Sequence, residues 1–227
     1  MGNLRIPTVM ASVLLVLTGC ASRPVLRDVE WIDLTHSFDE STLYWPNNAR
    51  GFEHVTDTAG DTPGGYYYSS YSLCTPEHGG THLDAPVHFA RDRQTVDAIP
   101  LANLTGEAVV VDVSVRALAD RDYRVGIADL TAWEASHGRI PDRAIVLLRT
   151  GYGAFYPDRA RYFGTERRGV EAVAELHFPG LDPAAAQWLL DARDVKAVGL
   201  DTPSLDYGQS KDFRTHRILL GANRPGF

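Results

Sequence analysis

The sequence predicts a single α/β domain with a mixed sheet and flanking helices. Three short apolar runs, residues 108–113, 144–148 and 195–200, have the composition of strands buried on both faces of a sheet. Two helical stretches, Ile127–His137 and Pro183–Arg193, alternate with these strands along the chain. Because no linker or repeat divides the chain, we expect one core with mixed layers of helix and sheet.

The remaining predicted elements follow from local composition. Residues 29–38 (VEWIDLTHSF) alternate apolar and polar side chains, and residues 66–73 (YYYSSYSL) follow a DTPGG turn and are rich in β formers, so both are expected to be strands. Asp182 can cap the helix that Pro183 opens. A further helix is expected to begin near Thr215.

Length and charge exclude several classes of protein. The chain has 227 residues, of which 44% are hydrophobic, and its 22 Lys plus Arg against 29 Asp plus Glu give a formal net charge of -7. A chain of this length can bury a sizeable core without disulfides. A nucleic-acid-binding protein needs clustered Lys and Arg for its phosphate contacts, and no basic run is present. The composition therefore suits an enzyme and excludes a nucleic-acid partner.

The first twenty residues, MGNLRIPTVMASVLLVLTGC, predict export from the cytoplasm. Their apolar run is shorter than the roughly 20 residues of a membrane-spanning helix, and small residues follow it, as at a signal-peptide cleavage site. The last four residues, Leu-Thr-Gly-Cys, resemble the lipobox of bacterial lipoproteins, which implies that Cys20 is lipidated. The alternative is an ordinary signal peptide that contains a cysteine by chance.

On the lipoprotein hypothesis, residues 1–19 are the signal peptide, residues 20–28 are the lipidated N-terminus and a tether, and residues 29–227 are the folded domain. The protein is then expected to be exported and lipid-anchored in the periplasm, at the outer membrane because Ala21 rather than aspartate follows the cysteine. The anchor is its only expected membrane contact. Cys74 is left as the one free thiol, so we expect no disulfide and a small buried side chain at that position.

The most informative part of the sequence is residues 77–89, EHGGTHLDAPVHF, which we call the motif segment. Its paired glycines and its proline exclude a stable helix, and with it the helical zinc-protease motif. In an extended chain the side chains of His82 and Asp84 point the same way, and the glycines allow a sharp turn that brings His78 to the same ion. Two imidazoles and a carboxylate suit Zn, Mn or Fe and leave coordination positions open for water and substrate.

A fourth side chain of the motif segment is that of His88. It lies six residues after His82, an even spacing, so in an extended chain both side chains point to the same face, and His88 can face the site without binding the ion. It is a candidate base for the proton of a metal-bound water, whose pKa the ion lowers towards neutrality. Such a site needs no serine or cysteine nucleophile. The alternative is that the histidines are loop residues bonded to backbone and that Asp84 caps a turn.

Residues 78–89, HGGTHLDAPVHF, resemble the signature of the metal-dependent cyclase family, which includes bacterial kynurenine formamidase and isatin hydrolase. Further segments extend the resemblance along the chain in the family's order: IDLTH at 32–36, YWP at 44–46, LRTGYG at 148–153, FPGL at 178–181, GLDTPSLD at 199–206 and HRILL at 216–220. The resemblance implies hydrolysis of an amide or formamide bond in a small aromatic or cyclic substrate. It also implies a compact, barrel-type α/β domain that is often dimeric, so a homodimer is expected.

The resemblance assigns roles to individual residues. His78, His82 and Asp84 match the family's metal ligands, and His88 matches its catalytic histidine. His216 matches a further histidine that helps to bind a second metal ion. The implied cofactor is a divalent metal, Zn or Mn.

Three more residues, Trp45, Phe52 and Ser204, lie in segments that border the substrate pocket in relatives. The resemblance implies that they bind substrate, although aromatic residues are more often part of a core. The implied partner is a small aromatic or cyclic amide.

In one respect the sequence departs from the family pattern. In the family a glutamate follows the equivalent of His216 and completes the second metal site, and a final strand then closes the domain. Here the sequence ends at Phe227, eleven residues after His216, and no carboxylate follows Asp212. Residues 221–227 are therefore expected to be a loop cut before its strand. We expect weak or no activity of this form compared with a longer one.

Two other functions stay open at this point: a periplasmic lipoprotein that binds a metal or an aromatic ligand without turnover, and a catalytically inactive truncated relative. Amide turnover that depends on Asp84 would separate the hydrolase from both. Asp112, Asp201 and Asp206 lie at or after strand ends and could orient the histidines, but aspartates at such positions more often cap turns, and we expect that structural role.

Overall fold

The computed structural model describes residues 30–227. Residues 30–34 belong to a separate unit from residues 35–227, and the second unit contains all the helices and strands given below. The expected signal peptide, residues 1–19, and the tether with its lipidation site, residues 20–28, lie outside the described residues. No helix in the described part is long and apolar enough to cross a bilayer.

The strand predicted over residues 29–38 is wrong: the described part of this stretch, residues 30–38, contains no strand. Trp31, Ile32 and Leu34 are 79%, 70% and 75% exposed. Alternation forms a strand only where one face is buried and a neighbouring strand supplies hydrogen bonds. Among residues 30–227, no strand pairs with this stretch.

The strands of the described part form three small sheets. They are β1 Glu53–Asp61, β2 Tyr67–Cys74, β3 Ala108–Asp112, β4 Arg124–Val125, β5 Ile145–Arg149, β6 Gly180–Leu181 and β7 Ala197–Leu200. β1 and β2 form an antiparallel hairpin, β4 and β6 pair in parallel, and the third sheet is parallel with the order β3-β5-β7. The α/β class is confirmed, with parallel and antiparallel pairing divided among separate sheets.

The parallel sheet is the centre of the main hydrophobic core. Its three strands are the three predicted apolar runs, each within two residues of the expected bounds. Val111, Val146 and Val198 are each no more than 1% exposed. β5 and β7 are largely buried on both faces, which explains their continuously apolar runs. β3 instead alternates, with Val111 buried and Val110 52% exposed, so the expectation of burial on both faces is wrong for that strand.

The helices are α1 Leu101–Leu104, α2 Ser114–Ala119, α3 Ile127–His137, α4 Arg159–Phe163, α5 Pro183–Arg193 and α6 Arg214–Gly221. The bounds predicted for α3 and α5 are confirmed, and the Asp182 carboxylate accepts a hydrogen bond from the Ala184 N–H (2.9 Å), as a cap does. α6 begins one residue before the predicted start. The other three helices are too short for a helical repeat to be visible in the sequence.

The β1–β2 hairpin is open to solvent on most of its surface. The predicted strand over residues 66–73 is confirmed as β2, whereas β1, with the polar sequence EHVTDTAGD, was not predicted. Cys74 ends β2 and is exposed, so the expectation of a buried thiol is wrong. It lies on an exposed hairpin with no core to enter, and its Sγ accepts a bond from Arg50 Nη1 (3.6 Å).

Residues 221–227 are a loop only in part. The Val198 N–H donates to Pro225 O (3.3 Å), and the Phe227 N–H donates to Val198 O (3.0 Å), so residues 225–227 run parallel to β7. On its other side Gly226 pairs with Asp84, with N–H to oxygen distances of 2.9 and 3.2 Å. The short stretch therefore fixes the backbone of Asp84 to the core sheet.

Candidate metal centre

The backbone of the motif segment is held by neighbours that require glycine. The Gly80 N–H donates to Leu43 O (3.1 Å), and Gly79 forms a β-bridge with Tyr44. A Cβ at Gly79 would overlap the Tyr44 ring, and Gly80 has φ +58°, a conformation that favours glycine. The sharp turn that the sequence predicted after His78 is confirmed.

Three histidines meet at the carboxylate of Asp84. His78 Nδ1 is 2.7 Å and His82 Nε2 is 3.3 Å from Asp84 Oδ1. His216 Nε2 lies 3.3 Å from the other oxygen, Oδ2. Asp84 is thus shared between two histidines of its own segment and one that comes from α6.

The donor set fits a divalent metal ion. One ligand atom each from His78, His82 and Asp84 can be chosen so that all three lie within 4.8 Å of one another. Imidazole nitrogens and a carboxylate oxygen are the ligands that Zn and Mn take in proteins. The side chains of His78 and His82 remain 31% and 24% exposed, so the site is open on the side of the motif segment.

The charges around Asp84 favour a permanently ionised carboxylate. Burial alone would raise its pKa, but hydrogen bonds from His216, His78 and His82 outweigh burial and hold the pKa of Asp84 well below its usual range. Burial also opposes charge on His82, yet its bond with Asp84 leaves the His82 pKa raised. The negative charge of the site is therefore carried by the two carboxylate oxygens of Asp84, as the binding of a cation requires.

Asp206 orients His216, so the expectation that Asp206 has only a structural, turn-capping role is wrong. The Asp206 carboxylate lies 2.6 Å from His216 Nδ1 and accepts the backbone N–H groups of Thr215 and His216 (3.1 Å each). Both side chains are buried, at 3% and 5% exposure. With Nδ1 bonded to Asp206, Nε2 is left to face Asp84. Burial opposes charge on His216, but Asp206 and Asp84 leave its pKa raised.

His88 lies beside the cluster without entering it. Its ring stacks on that of His78 with centroids 3.7 Å apart, and its centroid is 6.3 Å from that of His216. The residue is exposed, yet partial burial of the ring and the neighbouring His78 lower the pKa of His88 to about 4. The ring is therefore neutral at neutral pH, the form in which one imidazole nitrogen is a proton acceptor.

Aromatic rings surround the side of the cluster nearest α6. Phe89 lies 4.6 Å from the His216 ring and 5.2 Å from Phe213, and Phe213 lies 6.0 Å from His216. Trp45 reaches this group through Phe213, at 6.4 Å between centroids. Phe89 and Phe213 were not predicted, although Phe89 belongs to the motif segment.

The other two predicted substrate residues lie apart from these rings. The Phe52 ring is beside His54, 6.2 Å away, at the base of the hairpin. Ser204 accepts a bond at its carbonyl from Thr202 Oγ1 (3.1 Å). Within the described residues, neither has a hydrogen bond or ring contact with His78, His82, His88 or His216.

Two other aspartates serve the backbone, as the sequence predicted. Asp201 accepts bonds from Thr150 N (2.7 Å) and Gly151 N (2.9 Å), and Asp112 accepts one from Ser114 N (2.9 Å). Both hold turns after strands of the parallel sheet.

The chain is similar in sequence to one family of known proteins. A family model described as "Putative cyclase" matches residues 32–207. Isatin hydrolase of Roseibium aggregatum is 26% identical over 217 residues, which cover 89% of this chain and 80% of that protein. Kynurenine formamidase of Salinibacter ruber is 31% identical over 189 residues, which cover 83% of this chain and 76% of that protein.

Solved structures show the same fold. Isatin hydrolase A from Ralstonia solanacearum is 32% identical with a TM-score of 0.73, covering 86% of this chain and 76% of that one. An isatin hydrolase bound to the product analogue thioisatinate is 26% identical with a TM-score of 0.75, covering 86% and 77%.

Proposed function

This chain belongs to the cyclase family, and on that premise we propose that it is a metal-dependent hydrolase. Its proposed substrate is a small aromatic or cyclic compound in which it cleaves an amide or formamide C–N bond. The observation that carries the proposal is the meeting of His78, His82 and His216 at the carboxylate of Asp84, with His88 stacked beside them.

The names of the relatives support this class of substrate. An isatin hydrolase opens a cyclic amide, and a kynurenine formamidase removes a formyl group from an aromatic amine. Both reactions add water to a carbonyl carbon and break its bond to nitrogen. One arrangement of ligands and proton-transfer groups serves both.

We propose that His78, His82 and Asp84 hold a divalent ion, Zn or Mn, and that His216 on the far side of Asp84 contributes to a second position. A bound ion supplies an activated water at neutral pH and polarises the substrate carbonyl. Asp84 gives both oxygens to this site, because Oδ1 faces the motif segment and Oδ2 faces His216.

His88 is the proposed proton-transfer residue. Its neutral ring accepts a proton from the attacking water and returns it to the leaving nitrogen as the C–N bond breaks, so that the products are a carboxylic acid, which releases its proton to solvent, and an amine. The stacking on His78 fixes the ring beside the ligands without using a nitrogen for coordination. His88 is therefore available for both proton transfers, from the attacking water and to the leaving nitrogen.

Phe89, Phe213 and Trp45 are the proposed aromatic wall of the substrate site. They form a continuous group of rings from His216 outwards. Planar aromatic substrates gain both buried apolar area and ring contacts against such a wall.

Hydrolysis of isatin and of N-formylkynurenine, followed by absorbance, tests the proposal. We expect the metal-loaded chain to hydrolyse at least one of them and Asp84→Ala to be inactive. Asp57→Ala is the matched control and is expected to leave the rate unchanged, because among residues 30–227 the Asp57 carboxylate bonds only to Ser72 Oγ on the exposed hairpin (2.8 and 2.9 Å). Equal rates for Asp84→Ala and the wild type would contradict the proposal. Metal binding without turnover of any amide would favour a binding protein or an inactive relative.

We also propose that the protein is exported, lipidated at Cys20 and anchored in the periplasm, at the outer membrane, and that it forms a homodimer. The Leu-Thr-Gly-Cys sequence supports the anchor. Mass spectrometry of the mature N-terminus tests it: acyl chains on Cys20 are expected, and an unmodified N-terminus would contradict it. Light scattering of the purified protein tests the dimer.

A further inference from the structure

The β1–β2 hairpin is a two-stranded sheet that stands open on both of its edges. Among residues 30–227, neither strand pairs with a third strand, and nearly every residue of both strands is exposed. A hairpin alone is at best marginally stable in water, because a sheet needs a third strand or a packed face to hold it. The hairpin therefore has unused capacity to pair with another strand.

β2 and the turn before it carry a cluster of exposed apolar side chains. Five of them are 48–63% exposed: Tyr66, Tyr67, Tyr68, Tyr71 and Leu73. They leave roughly 500 Å² of side-chain surface per chain to be covered, since a large aromatic side chain buries about 150–250 Å² in full. Two copies together reach the ~1,000 Å² of a small specific interface.

The two edges of the hairpin differ in their protection against pairing. β1 carries the carboxylates of Glu53, Asp57 and Asp61, and a register shift between Thr56 and Thr58 interrupts its ladder. Charges and bulges are the devices that keep an edge strand from pairing with another chain. β2, with the sequence YYSSYSLC, has no charge, no proline and no glycine. The open edge of β2 is thus the edge that suits an added strand.

The sequence of β2 fits a second copy of itself. In a two-fold antiparallel pair centred on Ser70, Tyr67 lies opposite the partner's Leu73, and Ser69 lies opposite the partner's Tyr71. These side chains all point to one face of the sheet, so the apolar ones cover each other across the two strands. No charge of one β2 meets a charge of the other.

Pairing through β1 instead would be opposed by charge. A two-fold pair centred on Asp57 places that carboxylate against the partner's Asp57, and Glu53 against the partner's Asp61. Like charges directly opposite destabilise a strand pair, and each chain already has a formal net charge of -7. Two copies therefore meet with least repulsion along β2.

One cation at the base of the hairpin complements the turn of a second copy. Arg50 Nη1 lies 3.6 Å from Cys74 Sγ at the end of β2. In the pair centred on Ser70, Cys74 lies opposite the partner's Tyr66, beside the turn that carries the partner's Asp61. The guanidinium then faces an aromatic ring and a carboxylate, both of which attract it.

We propose that the chain forms a two-fold dimer in which β2 pairs with the partner's β2, so that two hairpins become one four-stranded sheet. This inference rests on the homodimer proposed above and assigns its surface. It is independent of the hydrolase chemistry, because the paired edge contains none of the clustered histidines.

Sedimentation velocity of the purified full chain and of Ser70→Lys tests the pairing. The wild type is expected to be dimeric, and Ser70→Lys is expected to associate at least about tenfold more weakly, because two lysines meet on the two-fold axis. Thr58→Lys is the matched control: Thr58 lies opposite Ser70 within the hairpin, but on β1, and this variant is expected to stay dimeric. Thermal melts establish that each variant is folded.

Cross-linking through cysteine tests the register in a Cys74→Ser background. Ser70→Cys, oxidised with copper phenanthroline, is expected to form a disulfide-linked dimer. Residues directly opposite in an antiparallel pair have Cα atoms about 4.5–5.5 Å apart, within the range that a disulfide spans. Thr58→Cys, treated in the same way, is expected to remain without a cross-link.

The outcomes separate the surface from the dimer itself. A monomeric wild type would contradict both the dimer and its surface. A dimer that persists unchanged in Ser70→Lys, or equal cross-linking of Ser70→Cys and Thr58→Cys, would overturn the assignment to β2 and leave the proposed dimer standing. If Ser70→Lys does not fold, the two cysteine variants decide the question.

Discussion

The two sides of the candidate metal centre are built in different ways. The motif segment supplies His78, His82 and Asp84 from seven consecutive residues, held by backbone pairing with Tyr44 and Gly226. The opposite side, residues 206–216, which we call the distal segment, supplies one histidine. That histidine is held by a side-chain bond to Asp206 within the buried core.

The difference in exposure indicates a difference in role. The side chains of His78 and His82 are 31% and 24% exposed, whereas those of His216 and Asp206 are 5% and 3% exposed. Ligands on the open side can exchange water and substrate, and the closed side keeps the geometry of Asp84 fixed. We therefore assign the chemistry to the motif segment and the support of Asp84 to the distal segment.

The largest effect is expected from His82→Ala, which removes a ligand from the open side. Loss of one of three protein ligands should weaken metal binding by more than about 100-fold and abolish hydrolysis. Metal titration against a competing chelator measures the change. His54→Ala is the matched control, because His54 stacks on Tyr71 in the hairpin, far along the chain from the ligands. Unchanged metal affinity in His82→Ala would contradict the assigned ligand set.

His88→Gln is expected to separate chemistry from metal binding. Because His88 lies beside the cluster and not in it, the variant should keep its metal while kcat falls about 10²- to 10⁴-fold, the usual contribution of a general base. Steady-state kinetics and metal content of the same sample check both parts. A normal kcat would remove the proposed proton-transfer role, and loss of the metal would make His88 a ligand instead.

Asp206→Asn tests whether the distal segment supports the site. The amide cannot hold the His216 ring as the carboxylate does, so we expect a 10- to 100-fold loss of activity or metal affinity. Asp112→Asn is the control, since the Asp112 carboxylate also accepts a backbone N–H at the start of a helix, that of Ser114 in α2, and has no hydrogen bond or ion pair with a histidine in the described part of the chain. If both variants behave alike, Asp206 has only a capping role.

The smallest effect on the rate of hydrolysis is expected from Gly79→Ala, which alters the turn that holds the motif segment. The new Cβ would overlap the Tyr44 ring, and the resulting strain should lower the free energy of unfolding by about 1–3 kcal/mol. Gly221→Ala is the control, because nothing lies within 4 Å of its Cβ position. Chemical denaturation compares the two. Equal stability would show that the turn after His78 tolerates a side chain.

The contrast between the motif segment and the distal segment also explains which features the sequence could predict. α3, α5 and the strands of the parallel sheet have local signals, in capping residues and continuous apolar runs, and these predictions are confirmed. The motif segment was visible because its ligands are close in sequence. Its metal-binding role stays a prediction until an ion is measured.

Other features depend on contacts between distant residues. Asp206 and His216 are separated by a turn in which Phe213 adopts a left-handed conformation, and no spacing rule indicates that the two side chains meet. The role of Gly226 in fixing the backbone of Asp84 likewise depends on its pairing with Asp84 and with β7, which are distant in sequence. The alternation in residues 30–38 predicted a strand that the structure lacks, since a periodic pattern does not specify a partner.

The most direct test of the central claim is the metal content per chain of the purified protein, measured by elemental mass spectrometry after resupply with Zn and Mn. We expect at least one bound ion per chain in the wild type and none in Asp84→Ala, because the Asp84 carboxylate contacts the histidines of both sides of the centre. Retention of the ion by Asp84→Ala, or its absence from the wild type, would contradict the claim that the motif segment and the distal segment form a metal centre.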